Sequence, residues 1–362
     1  MTELDALLIL NHLRVGPITS RRLMDSFGSA IAIFKASERH ISAVSHLSSA
    51  NAGKIKNWEK HVKLDNAWAI IKEQNIKIIT YKDAHYPPLL REIYDHPLLF
   101  YLRGELIPQD NQAVAFVGTR NATGYGRSIA RKWSYNLAAR GFTIISGLAR
   151  GIDTESHIGA IEANGRTIAV LGFGFGYVYP KENAALLEKI AETGAVITEY
   201  PWKKYHGKAS FPLRNRLIAG LSRATLVVES RRRGGSLITA HFANEYNRTV
   251  FAVPGSINFS ASSGTNQLIR DGATLVTSPD EITGEFEFLF PMPKQSEDKV
   301  QKLIPKLEGN EEILYSFITE PISIDELAEK SDVSIEKVTT ALLMLELKGL
   351  IRMLPGKIYD RK

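Results

Sequence analysis

Between Ala113 and Val276 seven short apolar, β-branched runs recur, each separated from the next by a segment long enough for a helix. They are 113–117, 142–145, 167–171, 195–198, 224–228, 249–253 and 273–276. A strand that is apolar on both faces must be covered on both, and helix-length spacers rule out a hairpin meander. The pattern therefore predicts an α/β chain with a parallel sheet of about seven strands and helices on either side. In such a sheet the loops at the carboxyl ends of the strands face one crevice, the usual ligand site of the architecture.

The flanking regions read differently. Apolar spacing over Leu4–Leu13 and again over Ile18–Phe27, punctuated by Gly16-Pro17, predicts short helices within residues 1–75. Paired short helices of this kind touch nucleic-acid backbones in some proteins and simply pack in bundles in others. Residues 76–110 hold short extended pieces and turns and read as a connecting arm, the core domain then running over 111–284. Residues 285–306, with Pro291, Pro293 and Pro305 among charges, read as a linker. In 307–362, helices are expected over Glu311–Ile318, from Ser323 and over Ser334–Leu350, followed by a strand pair turning at Pro355-Gly356. Ser323 with Glu326 forms a capping box, and the whole is a winged-helix pattern.

Charge narrows the function classes. With 45 Lys and Arg against 39 Asp and Glu the chain is only mildly basic, but residues 201–233 hold nine basic side chains against Glu229 alone. Residues 301–362 carry nine basic and eleven acidic side chains, so the winged helix is a poor primary reader of DNA. The absence of Cys removes disulfides, thiolate metal sites and thiol nucleophiles. No apolar run reaches the ~18 residues of a spanning helix, and the N-terminus lacks a leader pattern, so a soluble cytoplasmic protein without membrane contact is expected.

The strand ends carry the chemistry. The first leads into Gly118-Thr119-Arg120 and on to Gly124 and Gly126, a helix start suited to phosphate. It has neither dinucleotide nor P-loop spacing, because no Lys follows the glycines. The second ends in Gly147-Leu148-Ala149-Arg150-Gly151 with Asp153 placed to cap the next helix, and the third in Gly172–Lys181. The fourth is followed by Phe211-Pro212-Leu213-Arg214-Asn215-Arg216, which joins two forked cations to an aromatic face. The fifth is followed by Arg231-Arg232-Arg233-Gly234-Gly235-Ser236. For each turn the plainer reading is tight helix–sheet packing, or an Arg run that is merely solvated. His157, four residues after Asp153, and His241 fit structural hydrogen bonds better than catalysis. Asp153, Glu155 and His157 are too sparse for a metal, so neither catalytic residues, metal nor cofactor is expected.

Taken together, residues 83–90, 117–120, 146–153, 179–183, 211–222, 235–240 and 253–255 resemble, in order, the motifs of the bacterial DNA-processing protein A family (DprA, also called Smf). The resemblance implies an extended Rossmann-like core, an N-terminal SAM- or helix-hairpin-like module and a C-terminal winged helix. It implies a non-enzymatic, homodimeric protein that binds single-stranded DNA without sequence preference, protects incoming strands in natural transformation and loads the RecA recombinase onto them. Carried over by motif, the DNA pocket comprises Gly118, Arg120, Gly147, Arg150, Gly151, Lys181, Phe211, Arg214, Asn215, Arg216, Gly235 and Ser236, with Arg120 a phosphate anchor and Phe211 a stacking platform. Gly176 stands where the family commonly has Asp, and Lys203-Lys204-Tyr205-His206 replaces a Pro-rich loop. The rival expectation is a nucleotide hydrolase or phosphoribohydrolase using the same crevice, with Glu199 or Glu229 acting on a ribose.

Overall fold

The computed structural model describes residues 1–44, 47, 49–203, 207–289, 307, 309–318, 321–331, 333–348, 350–354 and 358–361. It divides into two compact units, Met1–Phe290 and Pro291–Lys362.

All seven apolar runs of the first unit become strands. In chain order the nine strands of its sheet are β1 (Lys77–Thr80), β2 (Leu99–Gly104), β3 (Ala113–Val117), β4 (Thr143–Ser146), β5 (Thr167–Leu171), β6 (Ala195–Thr198), β7 (Ala224–Val227), β8 (Thr249–Ala252) and β9 (Thr274–Leu275). Their spatial order is β1-β2-β6-β5-β4-β3-β7-β8-β9. From β6 to β9 every neighbour pair is parallel. Successive side chains of a strand point to opposite faces, and β3 divides its residues accordingly. Ala113, Ala115 and Val117 pack with Leu217 and Ala240 on one face, while Val114 and Phe116 pack with Ala130, Leu137 and Ala160 on the other. The helices Ser210–Gly220 and Ser236–Glu245 thus cover one side, and Gly124–Ala139 and Ile152–Glu162 the other.

The segment expected to be a connecting arm instead supplies β1 and β2, added antiparallel to the sheet beside β6 with Tyr101 opposite Thr198 and Ile78 opposite Tyr101. The expected N-terminal helices are present as Glu3–His12 and Pro17–Phe27, and their apolar faces share a core with Leu99 and Tyr101 of β2 and with Phe173 and Phe175. Of the expected linker, residues 285–289 belong to the helix Pro279–Leu289, where Phe286 is buried against Phe142; residues 290–306 lie outside the described residues.

The second unit has helices Asn310–Phe317, Ile324–Ser331 and Ile335–Leu347 around a core of Leu314, Leu327, Leu342 and Leu345. Its sheet runs β10 (Ile322–Ser323), β12 (Ile358–Arg361), β11 (Ile351–Leu354). The Ser323–Glu326 capping box forms: each backbone amide donates to the other's side chain at 3.3 Å. The turn expected at Pro355-Gly356 lies outside the described residues.

Candidate nucleic-acid interface

Strand order reverses at β3, which has β4, β5 and β6 on one side and β7, β8 and β9 on the other. The loops after β3 and β7 diverge there and leave a crevice outside the carboxyl ends. A cleft of about 540 Å³ occupies that place, lined by Gly118, Thr119 and Arg120 after β3, Phe211, Arg214 and Asn215 from the helix Ser210–Gly220, and Arg231, Arg233, Gly235 and Ser236 after β7.

Its walls are built by close backbone approach. A side chain at Gly118 would meet Ile152 Cγ1 at 2.4 Å, and one at Gly151 (φ 78°) would meet Thr119 O at 2.3 Å, so both positions exclude a Cβ. Gly147 performs a different service, since a Cβ there would occupy the space of the Arg214 guanidinium at 2.4 Å. Leu148, next in the chain, is held left-handed at φ 56°, with its carbonyl accepting from Asn183 Nδ2 at 2.9 Å. This is a conformation that costs a non-glycine residue about 1–3 kcal/mol and persists only where the surroundings enforce it.

The cations of the cleft fall into two kinds. Arg120, Arg231 and Arg233 are exposed. Arg120 holds its guanidinium carbon 5.0 Å from the Phe211 ring centroid, and Tyr179 stands 5.8 Å from the same ring. Arg214, by contrast, is only 4% exposed and forms the floor: Nη1 donates to Gly147 O at 2.7 Å and to Val170 O. Burial pulls its pKa down to about 10, opposed by the charge of Asp153, so it remains a cation at neutral pH. Asp153 does not cap its helix, whose N-cap is Gly151; its carboxylate turns back to accept from the amides of Gly147 at 3.2 Å and Ala149 at 3.3 Å.

Several expected site residues stand elsewhere. Arg216 does not reach the cleft. Two positions along a helix from Arg214 it faces nearly the opposite way, buried with Nη2 2.5 Å from Glu199 Oε1 and Nη1 donating to Asp95 O at 2.7 Å. Arg150 is exposed and ion-paired with Glu182, and Lys181 is exposed on the turn Lys181–Asn183; neither lines the cleft. Ser236 is buried, its hydroxyl donating to Ser230 Oγ at 2.9 Å, whereas Gly235 is open at the cleft wall. Arg231 and Arg233 were not among the residues carried over from the family pattern, although their place at a strand end signalled them. Lys204, Tyr205 and His206 lie outside the described residues.

The two carboxylates that a ribose-directed enzyme would need are engaged in the framework. Glu229 is 2% exposed; Oε2 accepts from the Thr123 amide at 2.9 Å and Oε1 from the Thr123 hydroxyl at 2.5 Å, while that hydroxyl accepts from the amide of Gly126. Glu199 is held by Arg216. Neither lines the cleft. His157 is fully buried, Nδ1 2.7 Å from Thr167 Oγ1, whose own proton goes to Ile144 O. Among the described residues no cluster of His, Asp and Glu could hold a metal ion, and no helix is long and apolar enough to cross a membrane.

Comparison with known proteins places this geometry. Residues 77–287 match the family model described as DNA recombination-mediator protein A, and residues 305–357 match the DprA winged helix domain. A relative from Escherichia coli (strain K12), Protein Smf, is 37% identical over 90% of this chain and 89% of its own length. The X-ray structure of DNA processing protein A from Streptococcus pneumoniae superposes with a TM-score of 0.70 at 33% identity, covering 80% of this chain and 99% of that one. DNA processing protein A from Helicobacter pylori, whose structure is described in terms of a single-stranded DNA binding mode, superposes with a TM-score of 0.53 at 26% identity over 58% of this chain and 95% of that one.

Proposed function

The chain belongs to the DNA recombination-mediator protein A family, and from that premise we propose that it binds single-stranded DNA without sequence preference in the cleft at the β3–β7 divergence. As a homodimer it would protect incoming strands in transformation and hand them to the RecA recombinase. The observation that carries the binding step is the pairing of exposed Arg120 with the Phe211–Tyr179 aromatic pair, beside Arg231 and Arg233. Arginine forks hold phosphate oxygens, and an aromatic face accepts any base. Asp153, the one acid among the described residues that line the cleft, is buried and committed to backbone amides, so their exposed charge is positive. Handing the strand to RecA, and dimerisation, rest on family membership alone.

The test is fluorescence anisotropy with a labelled dT oligomer, an equal-length duplex and a labelled mononucleotide across a salt series. With about five phosphates neutralised, log affinity for the single strand should fall with log salt at a slope of roughly −3.5. Arg120→Ala should lower the affinity about tenfold and flatten the slope by about 0.7 without loss of fold. Preference for the mononucleotide with weak DNA binding would instead make the cleft a small-molecule site.

A further inference from the structure

A second groove of about 310 Å³ lies between the N-terminal helices and the sheet, away from the cleft lining. Its lining is part aromatic, with Phe175, Tyr200 and Trp202, and part aliphatic, with Ile70 and Ile71. His61 and Lys63 are exposed at its rim, and among the described residues no carboxylate lines it. Liquid water occupies about 30 Å³ per molecule, so the space is ample for a planar base.

One short segment of chain joins the groove to the side of the cleft. A Cβ at Gly172 would touch Phe211 at 3.0 Å, while Phe175, three residues on, lines the groove. Three residues of extended chain span at most about 11 Å. Beyond it, Gly176 receives Lys203 and Trp202: a Cβ there would meet Lys203 Cγ at 2.6 Å and Trp202 Cε2 at 3.0 Å, so the position leaves no room for a side chain. A second strut joins the two sites, Tyr200 OH donating to Ser210 O at 3.4 Å, one residue before Phe211.

We infer that this groove is a second nucleobase slot, which takes a base of the same single strand one step beyond the cleft. The inference rests on the single-strand reading above. A slot lined by aromatic and aliphatic side chains offers an unpaired base stacking and apolar contact, as do the pockets of enzymes that extrude bases. Lys63 at the rim, with no carboxylate among the described lining residues, suits the phosphates flanking that base and disfavours an acidic peptide.

The slot predicts a length dependence. With dT oligomers of about 6 and about 20 nucleotides, Trp202→Ala should weaken the longer one about tenfold and the shorter by less than about twofold, because the short strand is held by the cleft. Lys63→Glu, on an exposed rim residue whose change leaves the core intact, should act in the same direction. Photo-cross-linking of the longer oligomer carrying 4-thiothymidine should place adducts on Trp202 or Tyr200 as well as in the cleft. An unchanged ratio in both variants, with adducts confined to Phe211 and Tyr179, would overturn the slot and leave the cleft standing. Failure of the wild-type chain to bind either oligomer would overturn both.

Discussion

Replacing Arg216 by Met is expected to cost about 3–5 kcal/mol of stability in urea unfolding while leaving the salt slope of DNA binding unchanged. The guanidinium, 5% exposed, is the counter-charge for Glu199 and lies 3.6 Å from Asp95 Oδ2, while Tyr246 OH also donates to Asp95 at 2.8 Å. Burial alone would lower the pKa of Arg216, yet the two carboxylates hold it above its ordinary value. Methionine fills comparable volume but leaves Glu199 and Asp95 without the charge that made their burial tolerable. The contrast with Arg120→Ala, which should weaken DNA and spare the fold, separates a framework arginine from a ligand arginine. A slope flattened by about 0.7 with unchanged urea midpoint would return Arg216 to the DNA surface.

The second large effect is one of pH. Burial depresses the pKa of His157 to about 3, with Arg214 adding to the depression, and the buried Nε2 has no hydrogen-bond partner among the described residues. An unfolded histidine takes up its proton near pH 6.5. Between pH 6.5 and about 3 the unfolded state therefore binds a proton that the native state refuses. His157 contributes stability that is complete above pH 6.5 and is lost on acidification at up to about 1.4 kcal/mol per pH unit. Burial pushes the carboxyls of Asp153 and Glu199 upward, which works in the opposite sense in the acid range. The histidine's share is accordingly the difference between the wild-type chain and His157→Gln in urea midpoints from pH 7 to 4. Parallel pH profiles in the two proteins would show that the imidazole does not govern the acid limb.

What the sequence made legible follows from where the signal is local. The runs that became β3 to β8 are apolar because both faces are covered, and that needs no knowledge of partners; β9, at the sheet edge, is exposed. β1 escaped because one edge of it is solvated, and β2 because its neighbour β6 lies far along the chain, so both read as an arm. At the site, Gly118, Arg120, Phe211 and Gly235 were legible because strand ends converge. Arg214 and Arg216 looked equivalent in a row of residues; only the helix separates them, one turned under the cleft and the other into a carboxylate pair. The groove at Trp202 left no sequence motif, because its lining comes from five separate segments.

The pairing of β2 with β6 also sets an order of events during synthesis. β2 is complete at Gly104, and the strand it must join begins at Ala195, about ninety residues later. At roughly 5–20 residues per second the ribosome needs about 5–20 s to deliver that partner. Through that interval Tyr101 and Leu102, which end buried and paired with Thr198 and Ile197, have no neighbour on that side. The newborn N-terminal half is thus an unfinished edge waiting for its mate, and slow elongation over 105–194 would prolong the period in which it can pair with the wrong chain.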